Sequence, residues 1–279
     1  MAETGRHAVE IDAARCVGCG ECVADCVTKV LTLRDKKANH TEDFEEDCIG
    51  CQHCLAICPV AAISVDGTKP AATLPLAGFK PDFAGLDKLV RGRRSVRRFA
   101  PEPVPSAVLQ EILAAVTHAP TGVNARTRRF TLVTDAGVMS ELRNRTGTTL
   151  AAAGDRLPEE VSWLVGAGKR WVDKRDDMIF RNAPHLLVVS ADKSGPCSTA
   201  DAMIAASYFD LLAQARGVGT TWAGMVYWIL SFLPEFRSWL DIPESHDIGY
   251  ALLFGMPAVR YARTALHRSE DIVELSALK

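Results

Sequence analysis

The first sixty residues use one cysteine spacing twice. "CVGCGECVADC" begins at Cys16 and "CIGCQHCLAIC" at Cys48, each a C-x2-C-x2-C-x3-C run. Aligning residues 16–33 on 48–65 superposes the four cysteines, Gly18 on Gly50 and Ala24 on Ala56. Three thiols this close can converge on one centre from a tight loop, and the fourth, one helical turn on, faces the other way. Zinc explains the spacing less well, because its sites usually take two C-x2-C pairs separated by a dozen or more residues. A disulfide framework needs an oxidising compartment. Residues 1–10 are polar and lack the apolar stretch of a secretory signal, so a reducing cytoplasm is expected.

The duplicated run resembles that of the two-cluster bacterial ferredoxins, over about residues 9–66. In that pattern the fourth cysteine of each run ligates the other run's cluster. The resemblance implies one [4Fe–4S] cluster on Cys16, Cys19, Cys22 and Cys58, and a second on Cys48, Cys51, Cys54 and Cys26. Val27 stands where a proline often follows the fourth cysteine, which removes no ligand. His53 lies inside the second loop and reads as a residue near a cluster rather than a ligand, since four ligands are already supplied.

Charge divides the chain. Residues 1–66 hold six Lys/Arg against twelve Asp/Glu, while the whole chain of 279 residues has a net charge of −2. An acidic small domain (1–66) therefore precedes a mildly basic larger one (86–279). The Pro-, Gly- and Ala-rich stretch 67–85 reads as the linker. Near-neutral charge gives no push toward nucleic acid. No run of eighteen uncharged apolar residues appears, so no transmembrane helix is expected.

"RGRRSVRRF" puts five arginines into residues 91–98. A solvated basic face is the ordinary reading. Arginine forks also bind phosphate bidentately, and Arg93, Arg94, Ser95 and Arg97 could together hold a phosphate monoester. Flavin mononucleotide ends in such a group. No P-loop occurs, and "GVGTTWAG" (217–224) follows a helical pattern rather than a strand, the wrong context for a dinucleotide turn. "VPSAVLQEILAAVTHAP" reads as a helix ending before Pro120, and "TGVN" as a loop ahead of the strand "FTLVT".

This order of motifs, R-x-S-x-R, helix, A-P-T-G-x-N, then "FRNAPHLLVVSAD", a small-residue helix, "GVGTTWAG", "IGYALLFGMP" and "HRSED", is similar to the nitroreductase family of FMN enzymes over residues 86–279. The resemblance implies an α+β fold with a mixed, mostly antiparallel sheet flanked by helices. It implies a homodimer with FMN at the interface. Arg93, Arg94, Ser95 and Arg97 match the stretch gripping the phosphate and ribityl chain. Pro120, Thr121, Gly122 and Asn124 match the loop that lies by the flavin from the partner subunit. Trp222, Ala223 and Gly224 match the turn facing the ring, and Arg268 the C-terminal phosphate contact, with Arg263 the second choice. Family members often continue with Gln-Pro-Trp after the asparagine, where this chain has Ala125, Arg126, Thr127 and Arg128.

Other residues read more plainly. Trp222 and Trp228 equally suit a packed core. Cys197 reads as a structural or surface thiol and His118 as a residue bordering the flavin loop. The helix "TADAMIAASYFDLLAQAR" is apolar nearly all round and must be buried, in the core or against a partner. The amphipathic stretch 151–177 suits helices over the active-site mouth.

The expected activity is that of an iron–sulfur flavoenzyme. Electrons from reduced ferredoxin or NAD(P)H reach a small organic acceptor such as a nitroaromatic, quinone or enone. An NAD(P)H-dependent FMN reductase or nitroreductase, and a non-enzymatic electron carrier or redox sensor, are the alternatives. Two four-iron clusters require about eight irons per chain. Iron and sulfide assays on anaerobically purified protein should approach that value alongside one FMN, and about one zinc per run with no sulfide would overturn the cluster assignment.

Overall fold

The computed structural model describes residues 7–267 and 270–276. The N-terminal unit runs β1 (Val9–Ile11), α1 (Glu21–Asp25), β2 (Leu31–Arg34), β3 (Lys37–His40), α2 (Phe44–Asp47), α3 (His53–Ile57) and β4 (Ile63–Val65). β1 pairs antiparallel with β4, and β2 with β3. The repeat recurs in the backbone. Gly18 and Gly50 take φ of +73° and +59°, and Gly20 and Gln52 take +82° and +63°. Only glycine suits the first of these places. A Cβ at Gly18 would sit 2.1 Å from the Lys36 carbonyl oxygen. Val9, Val30, Leu31, Leu55, Ile63 and Val65 form a small core against Cys22.

The larger unit runs α4 (Phe83–Gly92), α5 (Ser106–Val116), β5 (Arg128–Val133), α6 (Ala136–Ala151), α7 (Leu164–Lys174), β6 (His185–Asp192), α8 (Ser198–Ala215), β7 (Gly219–Trp222), α9 (Gly224–Phe232), α10 (Pro234–Trp239) and β8 (His246–Gly255). α4 starts inside the stretch expected to be linker. Asp82 caps it there, its carboxylate accepting the N–H groups of Ala84 and Gly85.

One four-stranded sheet, ordered β5-β6-β8-β7, organises this unit. Every strand pair is antiparallel. The mixed character expected from the sequence reduces, among the described residues, to one parallel bridge between Ser95 and Thr220 beside β7. Side chains alternate along the central strands. Leu186, Val188, Ala251 and Leu253 enter one core with α6, α7, α9 and α10. Leu187, Val189, Leu252 and Phe254 enter the other with α5 and α8. Both faces are covered, so these strands read as continuous apolar runs.

Two glycines allow close packing of helix on sheet and helix on helix. A Cβ at Gly249 of β8 would lie 2.4 Å from the Ala202 Cβ of α8, and one at Gly168 of α7 would lie 2.4 Å from the Ala151 nitrogen. Through that second contact α7 seats on α6. Leu157, Val161 and Leu164 of the 151–177 stretch join the main core. No helix among the described residues is long and apolar enough to cross a membrane.

His185 ties the start of α5 to β6. The Val104 N–H donates to its Nε2 at 2.9 Å, and the ring lies tilted against Phe254 with centroids 4.9 Å apart. Burial holds its pKa below the ordinary 6.5. The folded state therefore prefers neutral His185, and the stability this confers is present above pH 6.5 and lost as pH falls below it. Urea titrations from pH 7.5 to 5 should show wild-type stability dropping with a steeper slope than His185→Gln. Identical slopes would rule the histidine out as the cause.

Candidate functional site

The repeat brings its eight thiols into two groups. Cys16, Cys19, Cys22 and Cys58 line one cavity with Gly18, Leu33 and Ala38. Cys26, Cys48, Cys51 and Cys54 line another with Val30, Phe44 and Gly50. In each, the fourth cysteine of one run completes the other run's trio. Burial pushes the Cys54 thiol up to about 11, helped by repulsion from Cys51 and Cys48. Burial also raises Cys22, with Cys58, Cys16 and Cys19 adding to it. Cys16 is lowered, chiefly by the Ala38 N–H that donates to its sulfur at 3.5 Å. The Ala62 N–H donates to Cys58 Sγ at 3.2 Å. Among the described residues no three His, Cys, Asp or Glu side chains are spaced for a single metal ion. A soft all-thiol set around a lined hollow suits an iron–sulfur cluster, whose charge offsets the penalty on buried thiolates. His53 also lines the second cavity, with its Nδ1 3.0 Å from the Asp25 carboxylate.

The second cysteine loop meets the larger unit. The Asn124 amide donates to the Ile49 carbonyl at 2.9 Å. A cavity of about 200 Å3 separates Gly50, Cys51 and Gln52 from Thr117, His118, Pro120, Arg126 and Arg128. No carboxylate lines it. The sequence expects the Asn124 loop beside a flavin; within one chain the Asn124 amide is turned to the cysteine loop. The loop backbone is strained: Val123, Asn124 and Arg126 all take positive φ, at 45°, 56° and 50°. For β-branched Val123 that conformation is rare, and such strain persists only where surrounding contacts enforce it.

One such contact comes from α8. The Gly122 N–H donates to Asp201 Oδ1 at 3.0 Å, and Asp201 is 2 % exposed. Cys197, just before α8, lies against the same loop, since a Cβ at Gly122 would fall 3.0 Å from its sulfur. Cys197 is thus a neighbour of the expected site, though itself exposed.

The arginine segment lies beside β7. The Val96 N–H donates to the Thr220 carbonyl at 2.8 Å, the Thr221 hydroxyl to the Val96 carbonyl, and Gln214 Nε2 to the Arg94 carbonyl at 3.0 Å. Arg93 sits 3.7 Å from Asp210, a second buried carboxylate of α8. Asp210 also accepts the Thr220 hydroxyl and, at 3.1 Å, the Trp222 indole N–H. Arg94 and Arg97 make no ion pair among the described residues, which leaves two forks for an anion. Trp222 packs edge-on to Tyr250, and Gly224 opens α9 with its free backbone N–H groups. The chain after β8 returns to this edge, where the Tyr261 hydroxyl donates to the Ser95 carbonyl at 3.3 Å. Arg263 is exposed on that tail, and Arg268 lies outside the described residues. Trp228, at 42 % exposure, stacks on Phe232 and is not a core residue.

Asp201 and Asp210 anchor the two parts of the candidate site, and no motif marks them. They are the two charged positions in the otherwise uncharged α8, and that isolation is the available signal.

Known proteins resemble both parts of the chain. A family model described as "Nitroreductase family" matches residues 90–256, and one described as "4Fe-4S dicluster domain" matches residues 9–65. An iodotyrosine deiodinase of Thermotoga neapolitana is 30% identical over 139 residues, spanning 48% of this chain and 71% of that protein. A nitroreductase with bound FMN from Bacteroides fragilis superposes with a TM-score of 0.55 at 25% identity, covering 68% of this chain and 98% of that one. An FMN-bound nitroreductase from Desulfitobacterium hafniense shares the fold, with a TM-score of 0.54 at 24% identity and coverage of 68% and 98%.

Removing the Asp210 carboxylate leaves Arg93, Thr220 and Trp222 without their shared acceptor. Asp210→Ala should cost about 3 kcal/mol, the range for breaking a buried charge pair from one side. Chemical denaturation of the two proteins measures it, and a loss under about 1 kcal/mol would show that the network carries little.

Proposed function

The chain belongs to the nitroreductase family, and on that premise we propose an iron–sulfur flavoprotein oxidoreductase that reduces a small organic acceptor. The coarse class, an FMN-dependent oxidoreductase with a 4Fe-4S dicluster domain, follows from its relatives. Family membership favours an enzyme over a bare electron carrier. The finer reading has two four-iron clusters feeding one FMN per chain, in a homodimer. Clusters pass electrons singly, and FMN takes them singly and releases two together.

The chain's own residues have distinct tasks. Arg93, Arg94 and Arg97 supply bidentate donors to the phosphate, with the Ser95 hydroxyl beside them. Asp210 holds Arg93 in place and at the same time fixes Trp222, so the phosphate end and the ring end share one anchor. The N-terminus of α9 at Gly224 offers backbone N–H groups and a positive dipole end to negative charge on the ring. The loop of Pro120, Thr121, Gly122 and Asn124 closes over the ring and excludes water. Exposed Ile204 and Tyr208 on α8 give a second copy an apolar surface.

The observation that carries the reading is the contact between the Cys51 loop and the Asn124 loop, which sets a thiol group next to a flavin-family loop. Reduced ferredoxin is the preferred donor. NAD(P)H acting directly at the flavin is the other. Nitroaromatic, quinone and enone acceptors suit the family, and the likeness to an iodotyrosine deiodinase adds halogenated aromatics.

Each charge-assisted bond to phosphate contributes about 1.5–3 kcal/mol. Arg94→Ala/Arg97→Ala should therefore weaken FMN binding by about 100-fold or more in a fluorescence titration, with the visible cluster absorbance retained. Unchanged affinity would remove the phosphate assignment. Rapid bleaching of the wild-type flavin by NADPH alone would replace ferredoxin as the donor.

A further inference from the structure

The two halves of the site lie at opposite edges of one sheet, and only one of them adjoins the cysteines. Arg93–Arg97 and Trp222 belong to the β7 edge, where Ser95 bridges Thr220. The 117–126 loop leads into β5, the other edge. Four strand-to-strand steps separate the Ser95 segment from β5, about 19 Å at the usual spacing. α8 agrees. Asp201, which holds Gly122, and Asp210, which holds Arg93 and Trp222, are nine residues apart, about 13.5 Å along the axis and half a revolution round it.

The cysteine unit is fastened at the β5 edge, through Asn124 and Ile49. The residues assigned to the flavin, Arg93, Arg94, Arg97 and Trp222, are therefore about a sheet's width from the edge where their own chain's Cys51 loop is fastened. Tunnelling rates fall exponentially with distance, so that path is the slow one.

We infer that electrons cross between subunits: the cysteine unit of each chain serves the flavin held by the arginines of the other chain. The inference rests on the flavin, clusters and homodimer of the proposed function. The 120–124 loop of one chain, with Cys51 behind it, then faces the ring bound at the partner copy's β7 edge. Each transfer oxidises the cluster on Cys26, Cys48, Cys51 and Cys54 by one electron. Two transfers, with protons from solvent, reduce the flavin by two electrons. An external one-electron donor, a reduced iron–sulfur protein, replenishes the chain through the other cysteine group, whose Cys19 is exposed. Asn124 is a positioning residue, fixing the cysteine loop against the site without touching the reacting atoms.

Hybrid dimers separate the two routes. In the first hybrid, one chain carries Cys51→Ser and the other Arg93→Ala/Arg94→Ala/Arg97→Ala. In the second, one chain carries all four substitutions and its partner none. The readout is anaerobic single-turnover bleaching of the flavin by reduced ferredoxin, per flavin bound. Delivery between subunits predicts near wild-type rates in the first hybrid and at least a tenfold loss in the second. The opposite pattern means delivery within one chain and overturns the inference, while leaving the proposed function intact. Absence of bleaching in wild-type dimers would instead overturn the cluster-to-flavin relay of the proposed function and the inference with it, leaving NAD(P)H as the donor.

A second measurement does not depend on turnover or on how well Cys51→Ser folds. In dimers of one wild-type chain and one isotope-labelled triple-arginine chain, added FMN binds the wild-type arginines. Hydrogen exchange at residues 48–52 should then slow in the labelled chain. Slowing confined to the wild-type chain contradicts the inference. Asn124→Ala in the labelled chain should abolish the slowing there.

Discussion

Two buried carboxylates on one helix set the layout of this protein. α8 lies against the sheet, buried along most of its length, and places Asp201 and Asp210 on opposite sides. A buried carboxylate must be satisfied or it is costly. Asp201 draws in the Gly122 N–H and with it the loop before β5. Asp210 draws in Thr220, Trp222 and Arg93 at the edge of β7. The helix thus acts as a spacer between two half-sites, and the separation follows from its rise per residue rather than from any loop. In the proposed function each half-site is held by its own carboxylate, and a second copy brings the two halves together.

The N-terminal unit has a different logic. Its core is small, and six of the eight thiols lie in or against it: Cys22 is buried, and Cys16, Cys26, Cys48, Cys54 and Cys58 pack on it. Thiols pushed upward by burial, with Cys54 near 11, are poorly placed to ionise alone. A cluster held there would supply the positive charge that favours these thiolates, the kind of site whose loading couples to folding. Backbone N–H groups of Ala38 and Ala62 already point at Cys16 and Cys58, the kind of donors that tune cluster potentials. The unit is joined to the larger one where a cysteine loop meets a strained loop, and Val123, Asn124 and Arg126 hold left-handed backbone just there.

Much of this was legible in the sequence, because the features concerned are local. The cysteine spacing, the helix before Pro120 and the apolar strands β6 and β8 each announce themselves within a short window. What stayed hidden depends on partners far along the chain. Asp201 answers to Gly122, 79 residues away, and Asn124 to Ile49, 75 residues away. Asn124 fitted a family motif, and its hydrogen bond to the cysteine loop could not be read from that motif. α4 illustrates the boundary problem. Its capping residue Asp82 sits in a Pro- and Gly-rich stretch whose composition masks a helix start. The expected parallel character of the sheet shrank to one bridge because the segment around Ser95 touches β7 without forming a strand.

Locating the iron is the most direct examination of the whole account. Anomalous scattering from anaerobically grown crystals of the FMN-loaded protein would place every iron and every ring. The account predicts iron at both cysteine groups and a ring whose nearest cluster is bound by Cys51 of the neighbouring subunit. A ring nearest to a cluster of its own chain, or density without iron beside these thiols, would contradict it.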